Sequence, residues 1–298
     1  MSVARDLLAL AKPRITVMVV LTAATGMYLA PGELSLVRGA LAMLGTVLLV
    51  SGANALNMYL ERDIDGRASR TARRPLPAGR LPPLVALVFG LLLGGASLPL
   101  LFLAANPLTA LLGLIAFLTY VALYTPMKQH SPGALVVGAV PGAMPPLMGW
   151  TAVTGTLDPA GLVLFAILFL WQLPHFLAIT LFRATEYQGA GYKVTATEHG
   201  TSTAKLQIIL YLVALCPVSL VLVPLGVGGP LYLWTAILAG ALFLLTGLLG
   251  LRRGAGVKWA RTLFSVSLLY LMVLLGGVVV GQAMQGGDPV HLSAGTTR

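Results

Sequence analysis

Nine apolar stretches, each close to the length that an α-helix needs to cross a bilayer, make up most of this 298-residue chain. Such a helix takes about 20 residues, because it rises 1.5 Å per residue through a hydrocarbon layer about 30 Å thick. Only 9% of the residues are charged, whereas a soluble domain carries about 25%. The sequence therefore predicts an all-α integral membrane protein. The predicted spans are residues 15–30, 39–60, 84–105, 108–126, 134–153, 161–182, 207–227, 230–250 and 264–283.

The basic residues support nine spans and predict an orientation. If all nine stretches cross, 17 of the 19 Lys and Arg residues fall on one side of the membrane, and only Arg38 and Arg298 fall on the other. Because cytoplasmic loops are enriched in Lys and Arg, we expect the N-terminus inside and the C-terminus outside. The net charge of +10 does not indicate a nucleic-acid-binding protein, because the basic residues occur in short clusters between apolar stretches.

One transmembrane domain is expected over residues 1–298, with a polar tail from about residue 284. The single cysteine, Cys216, excludes a disulfide framework. The opening MSVARDLLALAKPR is typical of neither a removable signal peptide nor a transit peptide. This favours the cytoplasmic (inner) membrane of a bacterium.

The densest group of charges follows the second span, in NMYLERDIDGRASRTARRPL, residues 57–76. Asn57, Glu61 and Asp65 are four residues apart, so on a continuing helix they stay within about 80° of one face. Two carboxylates and an amide suit Mg²⁺, which fills its remaining positions with water and substrate phosphates. We therefore expect a magnesium site on this face.

Arginines follow this triplet, and their guanidinium groups match phosphate oxygens geometrically. They are Arg70, Arg73, Arg74 and Arg80. The alternative is that these arginines only anchor the loop on the cytoplasmic side, with the acids relieving their mutual repulsion. Acids contribute little to membrane orientation, so the ordered Asn, Glu, Asp triplet is the feature that this alternative explains least.

A second long loop, LFRATEYQGAGYKVTATEHGTSTAKLQ, follows the sixth span and repeats this pattern more weakly. Its charged and titratable residues are Arg183, Glu186, Lys193, Glu198, His199 and Lys205. Together the two loops predict a two-sided clamp, with one Mg²⁺ per acidic cluster, around a diphosphate. Metal and basic side chains would stabilise the charge of the leaving group. An allylic diphosphate would then place its apolar chain among the helices.

Three segments closely resemble the protoheme IX farnesyltransferases, which are UbiA-like intramembrane prenyltransferases. They are residues 57–76, YTPMKQHSPGALVVGAVPGAMPPLMGWTAVTG at 124–155 and WQLPHF at 171–176. The resemblance extends from about residue 8 to 283. It implies a bundle of nine transmembrane helices around a central cavity. The implied reaction transfers farnesyl from farnesyl diphosphate to a vinyl group of heme b, with water addition, giving heme O. It also implies heme A synthase as a candidate partner.

The resemblance also implies roles for particular residues. Mg²⁺ and the diphosphate would be held by Asn57, Glu61, Asp65, Arg70, Arg74, Lys128 and Glu186. Arg183 and Lys193 are further candidates for the diphosphate, and Tyr124 is a candidate catalytic residue at helical spacing from Lys128. Two departures from the family pattern concern the metal sites. Glu replaces the frequent Asp at 61 and 186, and KVTA at 193–196 replaces the usual Pro-Met-Leu-Pro.

A tentative heme pocket consists of Trp150, Trp171, His175 and His199. A histidine at membrane depth is a functional candidate, so His175 would contact the heme iron or a propionate. It would otherwise bond a carbonyl freed by Pro174. Tryptophans near helix ends are also common interfacial anchors. The glycines and prolines of GAVPGAMPPLMGW would either open a flat slot for a porphyrin or allow close helix packing.

Three alternatives remain for the function. A related prenyltransferase would act on an aromatic or quinone precursor. A cation-coupled transporter would place ionisable residues near the bilayer midplane, whereas here the charged residues can be assigned to membrane edges and loops. A passive heme-binding protein would not need the face that carries Asn57, Glu61 and Asp65.

Overall fold

The computed structural model describes residues 3–67 and 71–285, and within these ranges all regular elements are helical. In chain order the helices are α1 Val3–Leu10, α2 Pro13–Leu29, α3 Leu36–Asp65, α4 Pro83–Ala104, α5 Pro107–Leu118, α6 Thr125–Met127, α7 Ala134–Thr154, α8 Pro159–Phe182, α9 Ala184–Ala190, α10 Thr195–Glu198, α11 Thr201–Leu220, α12 Gly229–Leu248 and α13 Val257–Met284. A π-helical turn, Thr119–Tyr124, joins α5 to α6 without a break in the span.

The predicted number of spans is confirmed within the described residues. Eight helices are long and apolar enough to cross a membrane, and a ninth is present if α1 and α2, bent by 46°, count as one span. The predicted limits differ by five or more residues at three places. Helix α13 begins at Val257 rather than near residue 264. Helix α3 continues to Asp65 rather than ending near residue 60. Helix α11 covers residues 201–220 rather than 207–227, because a turn with Gly226 at φ +80° follows it.

The helices form a closed ring. Helices next to each other in sequence pack as neighbours, as in α3 with α4, α7 with α8, and α12 with α13. The ring closes because α13 also contacts α2 and α8, while α2 packs along α7. The largest buried apolar cluster lies among α8, α11, α12 and α13.

Helices α2 and α7 approach so closely that glycine is required at their contact. A Cβ on Gly149 would lie 1.9 Å from the carbonyl oxygen of Ala23, and a Cβ on Gly26 would lie 2.0 Å from that of Pro146. Small residues allow this kind of backbone approach between membrane helices. Part of the GAVPGAMPPLMGW stretch therefore serves helix packing.

An ion pair ties the N-terminal helix to the loop that follows α3. Arg80 Nε lies 3.0 Å from Asp6 Oδ1, and the Asp6 side chain is only 6% exposed. Arg80 Nη1 also donates to the carbonyl of Arg73 at 3.1 Å. Beside this pair, Leu10 packs in a buried cluster with Leu76. These contacts hold α1 and the arginine-rich loop together.

Asp6→Asn is expected to destabilise the protein by about 1–3 kcal/mol, because the buried side chain would keep its hydrogen-bonding oxygen but lose its charge opposite Arg80. The melting temperature of the purified protein in detergent measures this effect. Glu33→Gln is the matched control, since Glu33 is exposed and its substitution should leave the melting temperature unchanged. Equal melting temperatures for the two variants would contradict the prediction.

Candidate functional site

A large cavity of about 1150 Å³ opens among the helices and the loops at one end of the ring. Its wall is polar where α3 ends, with Asn57, Glu61 and Asp65. It becomes apolar further along α3, at Leu49 and Val50. A site built in this way suits a ligand with a charged end and a long apolar part.

The predicted triplet lies on the cavity wall because α3 continues unbroken to Asp65. Asn57, Glu61 and Asp65 are 1%, 2% and 1% exposed, respectively. Buried carboxylates require partners of opposite charge.

Three cations face the triplet, one for each member. Lys128 Nζ lies 2.5 Å from Glu61 Oε1. Arg74 Nη1 lies 2.5 Å from Asp65 Oδ2. At the third position, Lys12 Nζ donates to Asn57 Oδ1 at 2.7 Å. The polar end thus holds three basic side chains along about two turns of α3, two of them paired with carboxylates, and each can donate hydrogen bonds to a polyanion.

Lys128 connects α3 to two tyrosines and to the second long loop. Its Nζ lies 4.7 Å from the ring centroid of Tyr124 and 5.7 Å from that of Tyr192. Its carbonyl accepts a hydrogen bond of 3.1 Å from the backbone N–H of Lys193. Burial opposes the charge of Lys128, but Tyr124 and Glu61 outweigh it and hold the pKa of the ammonium above its usual range. Lys128 therefore stays positively charged at neutral pH.

The second loop brings further charged residues to the cavity. Arg183, Glu186 and Lys193 line it. Arg183 Nη1 lies 2.7 Å from Glu186 Oε2, and Lys193 Nζ lies 3.1 Å from Glu198 Oε2. Among the residues that the structure describes, no three His, Cys, Asp or Glu side chains come together as a metal-binding group. The second acidic cluster expected from the sequence is therefore represented on the wall by Glu186, without Glu198.

Four residues of the tentative heme pocket are not brought to the cavity wall. Trp150 Nε1 donates to Asp158 Oδ2 at 2.9 Å. Trp171 Nε1 donates to the carbonyl of Ser267 at 2.7 Å, and the hydroxyl of Ser267 lies 2.7 Å from His175 Nδ1. These side chains join helices to one another.

Of the remaining predicted site residues, some line the cavity and others do not. His199 is exposed on its loop, away from the cavity. Arg70 lies outside the described residues. Tyr124 and Arg74 both line the cavity.

The glycines and prolines of α7 lie partly on the cavity wall and partly against α2. Gly138, Pro141, Gly142 and Pro145 line the cavity, whereas Gly149 lies against the backbone of α2. A Cβ on Gly138 would lie 2.5 Å from the ring of Tyr124, and a Cβ on Gly142 would lie 2.0 Å from Gln172 Oε1. These two glycines therefore let Tyr124 and Gln172 pack against α7.

Several cavity residues were not predicted as site residues from the sequence. Lys12 was counted only among the basic residues that set the topology, and its position before Pro13 was the available signal. Tyr192 and Gln172 also line the cavity. Neither residue belongs to a spacing pattern in the sequence that would predict it as a cavity residue.

The sequence of this chain is similar to those of a known protein family. A model described as "UbiA prenyltransferase family" matches residues 19–274. The Protoheme IX farnesyltransferase of Anaeromyxobacter dehalogenans (strain 2CP-C) is 52% identical over 270 residues, which is 91% of each chain. That of Myxococcus xanthus (strain DK1622) is 50% identical over 279 residues, covering 94% of this chain and 95% of the relative.

Solved structures share the fold. A digeranylgeranylglyceryl phosphate synthase superposes with a TM-score of 0.79 at 17% identity, covering 94% of this chain and 99% of the other. A UbiA homolog from Archaeoglobus fulgidus, bound to GPP and Mg²⁺, superposes with a TM-score of 0.64 at 16% identity, covering 92% and 99%. At these identities the likeness concerns the fold alone.

Proposed function

This chain belongs to the UbiA prenyltransferase family, and from that premise we propose that it transfers farnesyl from farnesyl diphosphate to a vinyl group of heme b. The observation that carries the proposal is the single cavity that joins Asn57, Glu61, Asp65 and their cations to a long apolar wall. The relatives that are 50% and 52% identical are named Protoheme IX farnesyltransferase. They support heme b as the acceptor.

The diphosphate binds at the polar end of the cavity. Arg74 and Lys128 are positioned there by Asp65 and Glu61. Arg183 lies on the same wall, on the side of the second loop. Guanidinium and ammonium groups form short, charge-assisted hydrogen bonds with phosphate oxygens. These bonds strengthen as negative charge accumulates on the leaving pyrophosphate. Lys193 and Arg70 are further candidates from the sequence.

The residues present also fit a magnesium ion. Asn57, Glu61 and Asp65 offer an amide oxygen and two carboxylates on one helix face, and Glu186 lies on the wall of the same cavity. Mg²⁺ takes one or two protein carboxylates and completes its shell with water and phosphate oxygens. When bound, the ion would supply positive charge that stabilises the leaving diphosphate. The Mg²⁺ bound to the Archaeoglobus fulgidus homolog supports this assignment.

The apolar part of the cavity holds the farnesyl chain and the porphyrin. The volume of the whole cavity, about 1150 Å³, exceeds the roughly 300–1,000 Å³ of a typical small-molecule site, as two large substrates require. Tyr120 and Tyr124 line it between the polar and apolar parts. Their rings can stabilise an allylic cation through their electron-rich faces. Gly138 and Gly142 let Tyr124 and Gln172 pack against α7, and the flat acceptor would lie beside these two side chains.

The reaction consists of ionisation, bond formation and hydration. The C1–O bond of farnesyl diphosphate breaks, and its electron pair leaves with the pyrophosphate. The terminal vinyl carbon attacks the allylic cation, and the positive charge moves to the carbon beside the porphyrin ring. Water adds there and loses a proton, giving the hydroxyethylfarnesyl side chain of heme O. The residues mainly stabilise the leaving group and keep the cation away from bulk water.

We further propose a bacterial cytoplasmic membrane as the location, with the polar end of the cavity facing the cytoplasm. The relatives are bacterial. Arg74, Lys128 and Arg183 lie at the end of the cavity that the distribution of basic residues assigns to the inside. Heme A synthase remains a candidate partner that would take up the product.

The proposed reaction is tested in membranes that contain the folded protein. They are incubated with heme b, farnesyl diphosphate and Mg²⁺, and the extracted hemes are analysed by mass spectrometry. We expect a product heavier than heme b by one farnesyl group plus one hydroxyl group, and its loss when Mg²⁺ is chelated. A parallel incubation contains 4-hydroxybenzoate instead of heme b. Unchanged heme in the first, or prenylation only of 4-hydroxybenzoate in the second, would reject heme b as the acceptor.

A further inference from the structure

Lys12 is a cavity cation whose contacts differ from those of its neighbours. Lys128 and Arg74 each face a buried carboxylate. Lys12 Nζ instead donates to Asn57 Oδ1, which is a neutral amide oxygen. Within residues 3–67 and 71–285, no carboxylate oxygen lies within 4.0 Å of this ammonium. Lys12 therefore has no described acid in direct contact, unlike Lys128 and Arg74.

The backbone of Lys12 is strained in a way that places its side chain in the cavity. Its φ is +49° and its ψ is +65°, and Lys12 is the one non-glycine residue with positive φ in the described part of the chain. This left-handed conformation costs an L-residue roughly 1–2 kcal/mol. It occurs at the bend between α1 and α2. Strain of this kind persists where the surrounding contacts enforce it, often at functional sites.

Neighbouring side chains hold the strained backbone in place. The carbonyl oxygen of Ala11, one residue before the bend, accepts hydrogen bonds from Asn54 Nδ2 at 3.3 Å and from Thr16 Oγ1 at 2.9 Å. Asn54 is buried in α3, one turn before Asn57. The bend is thus fixed to the same helix that carries the triplet.

The amide of Asn57 is oriented by a second set of contacts. Its Nδ2 donates to Thr125 Oγ1 at 3.1 Å, and that hydroxyl donates to the carbonyl of Tyr120 at 2.8 Å. Because the NH₂ group is engaged there, the oxygen faces Lys12. Separate hydrogen bonds therefore position both partners of the contact between Lys12 and Asn57.

We propose that Lys12 is an additional ligand of the diphosphate and that Asn57 holds its ammonium in place until the anion binds. The inference rests on the proposed function, which supplies the diphosphate. Moving the ammonium from an amide oxygen to a phosphate oxygen exchanges a neutral acceptor for an anionic one, so that both partners of the hydrogen bond are charged. It also releases Asn57 Oδ1 for Mg²⁺. Metal and diphosphate therefore favour each other's binding.

The proposal is tested by titrating the purified full-length protein with inorganic pyrophosphate in the presence of Mg²⁺, and separately with Mg²⁺ alone. Lys12→Gln can still donate a hydrogen bond to Asn57 but removes the charge. We expect it to weaken pyrophosphate binding by about tenfold or more. Binding of Mg²⁺ alone should be unchanged or tighter, because a nearby positive charge is lost.

Two further variants complete the experiment. Lys12→Arg keeps the charge and should retain most of the affinity for pyrophosphate. Lys205→Met is the matched control, since Lys205 Nζ donates to the carbonyl of Ala255 at 2.7 Å and does not line the cavity. It should bind pyrophosphate as the unchanged protein does.

The opposite responses to the two ligands separate a binding role from a structural one. A Lys12→Gln variant with unchanged pyrophosphate affinity, or with equal losses for pyrophosphate and for Mg²⁺ alone, would overturn the proposal. The proposal would also be overturned if Lys12→Arg folded and Lys12→Gln did not, because the positive charge would then be required for folding. The titration contains neither heme nor a farnesyl chain. Its failure would therefore leave the proposed reaction standing, provided that the unchanged protein binds pyrophosphate.

Discussion

Asp65→Asn is expected to lower the rate of farnesyl transfer to heme b by about 10³-fold, which is the upper range for loss of one group that stabilises a leaving anion. Asp65 is 1% exposed and faces Arg74 at 2.5 Å. The amide is nearly the same size but carries no charge, so it would bind Mg²⁺ poorly and would no longer hold Arg74 by an ion pair. Initial rates of heme O formation with saturating substrates measure the effect.

Asp63→Asn provides the matched control for this variant. The same substitution is made two residues earlier on the same helix, where the side chain is 81% exposed and lies 3.9 Å from Arg62. An exposed pair of this kind contributes little, so we expect a rate close to that of the unchanged protein. Asp65→Asn protein that folds and keeps more than a tenth of the rate would exclude Asp65 from the metal and diphosphate site.

Gly149→Ala is expected to give the largest loss of stability, about 3 kcal/mol or more. The added Cβ would lie 1.9 Å from the carbonyl oxygen of Ala23, so α2 and α7 must separate. Overpacking usually costs 1–3 kcal/mol, and here the opposing atom belongs to the backbone of a helix. The melting temperature and the folded fraction in detergent, followed by size-exclusion chromatography, measure this loss.

Gly276→Ala is the matched control for the packing prediction. Gly276 lies in the long helix α13, and a Cβ there would meet no atom within 4 Å. Alanine also has the higher helix propensity, so this variant should melt at the same temperature or slightly above it. A Gly149→Ala protein as stable as Gly276→Ala would show that α2 and α7 can move apart at little cost.

The parts of the site that follow from local spacing could be predicted from the sequence. Asn57, Glu61 and Asp65 share a helix face because 3.6 residues make a turn, and the structure places all three on one wall. The span lengths follow in the same way from the thickness of the bilayer. The basic loops predicted Arg74 and Arg183 as cavity residues, although not which acid each would face.

The direction of the aromatic and histidine side chains could not be predicted. Trp171 and His175 lie in a span that is apolar around its whole circumference, and such a helix has no hydrophobic stripe to show which side faces the interior. The structure turns both toward Ser267 of α13. Their residue types suggested a heme pocket, whereas their contacts join two helices.

The amino-acid sequence was enough to predict the all-α membrane architecture, the approximate spans and the face of α3 that carries the acids. All three depend on local properties, namely apolar length and helical period. Tertiary structure alone decided which cation meets which member of the triplet, because Lys12 and Asn57 are 45 residues apart and Lys128 approaches Glu61 from another helix. No period in the sequence encodes such a pairing, which arises only when the ring of helices closes.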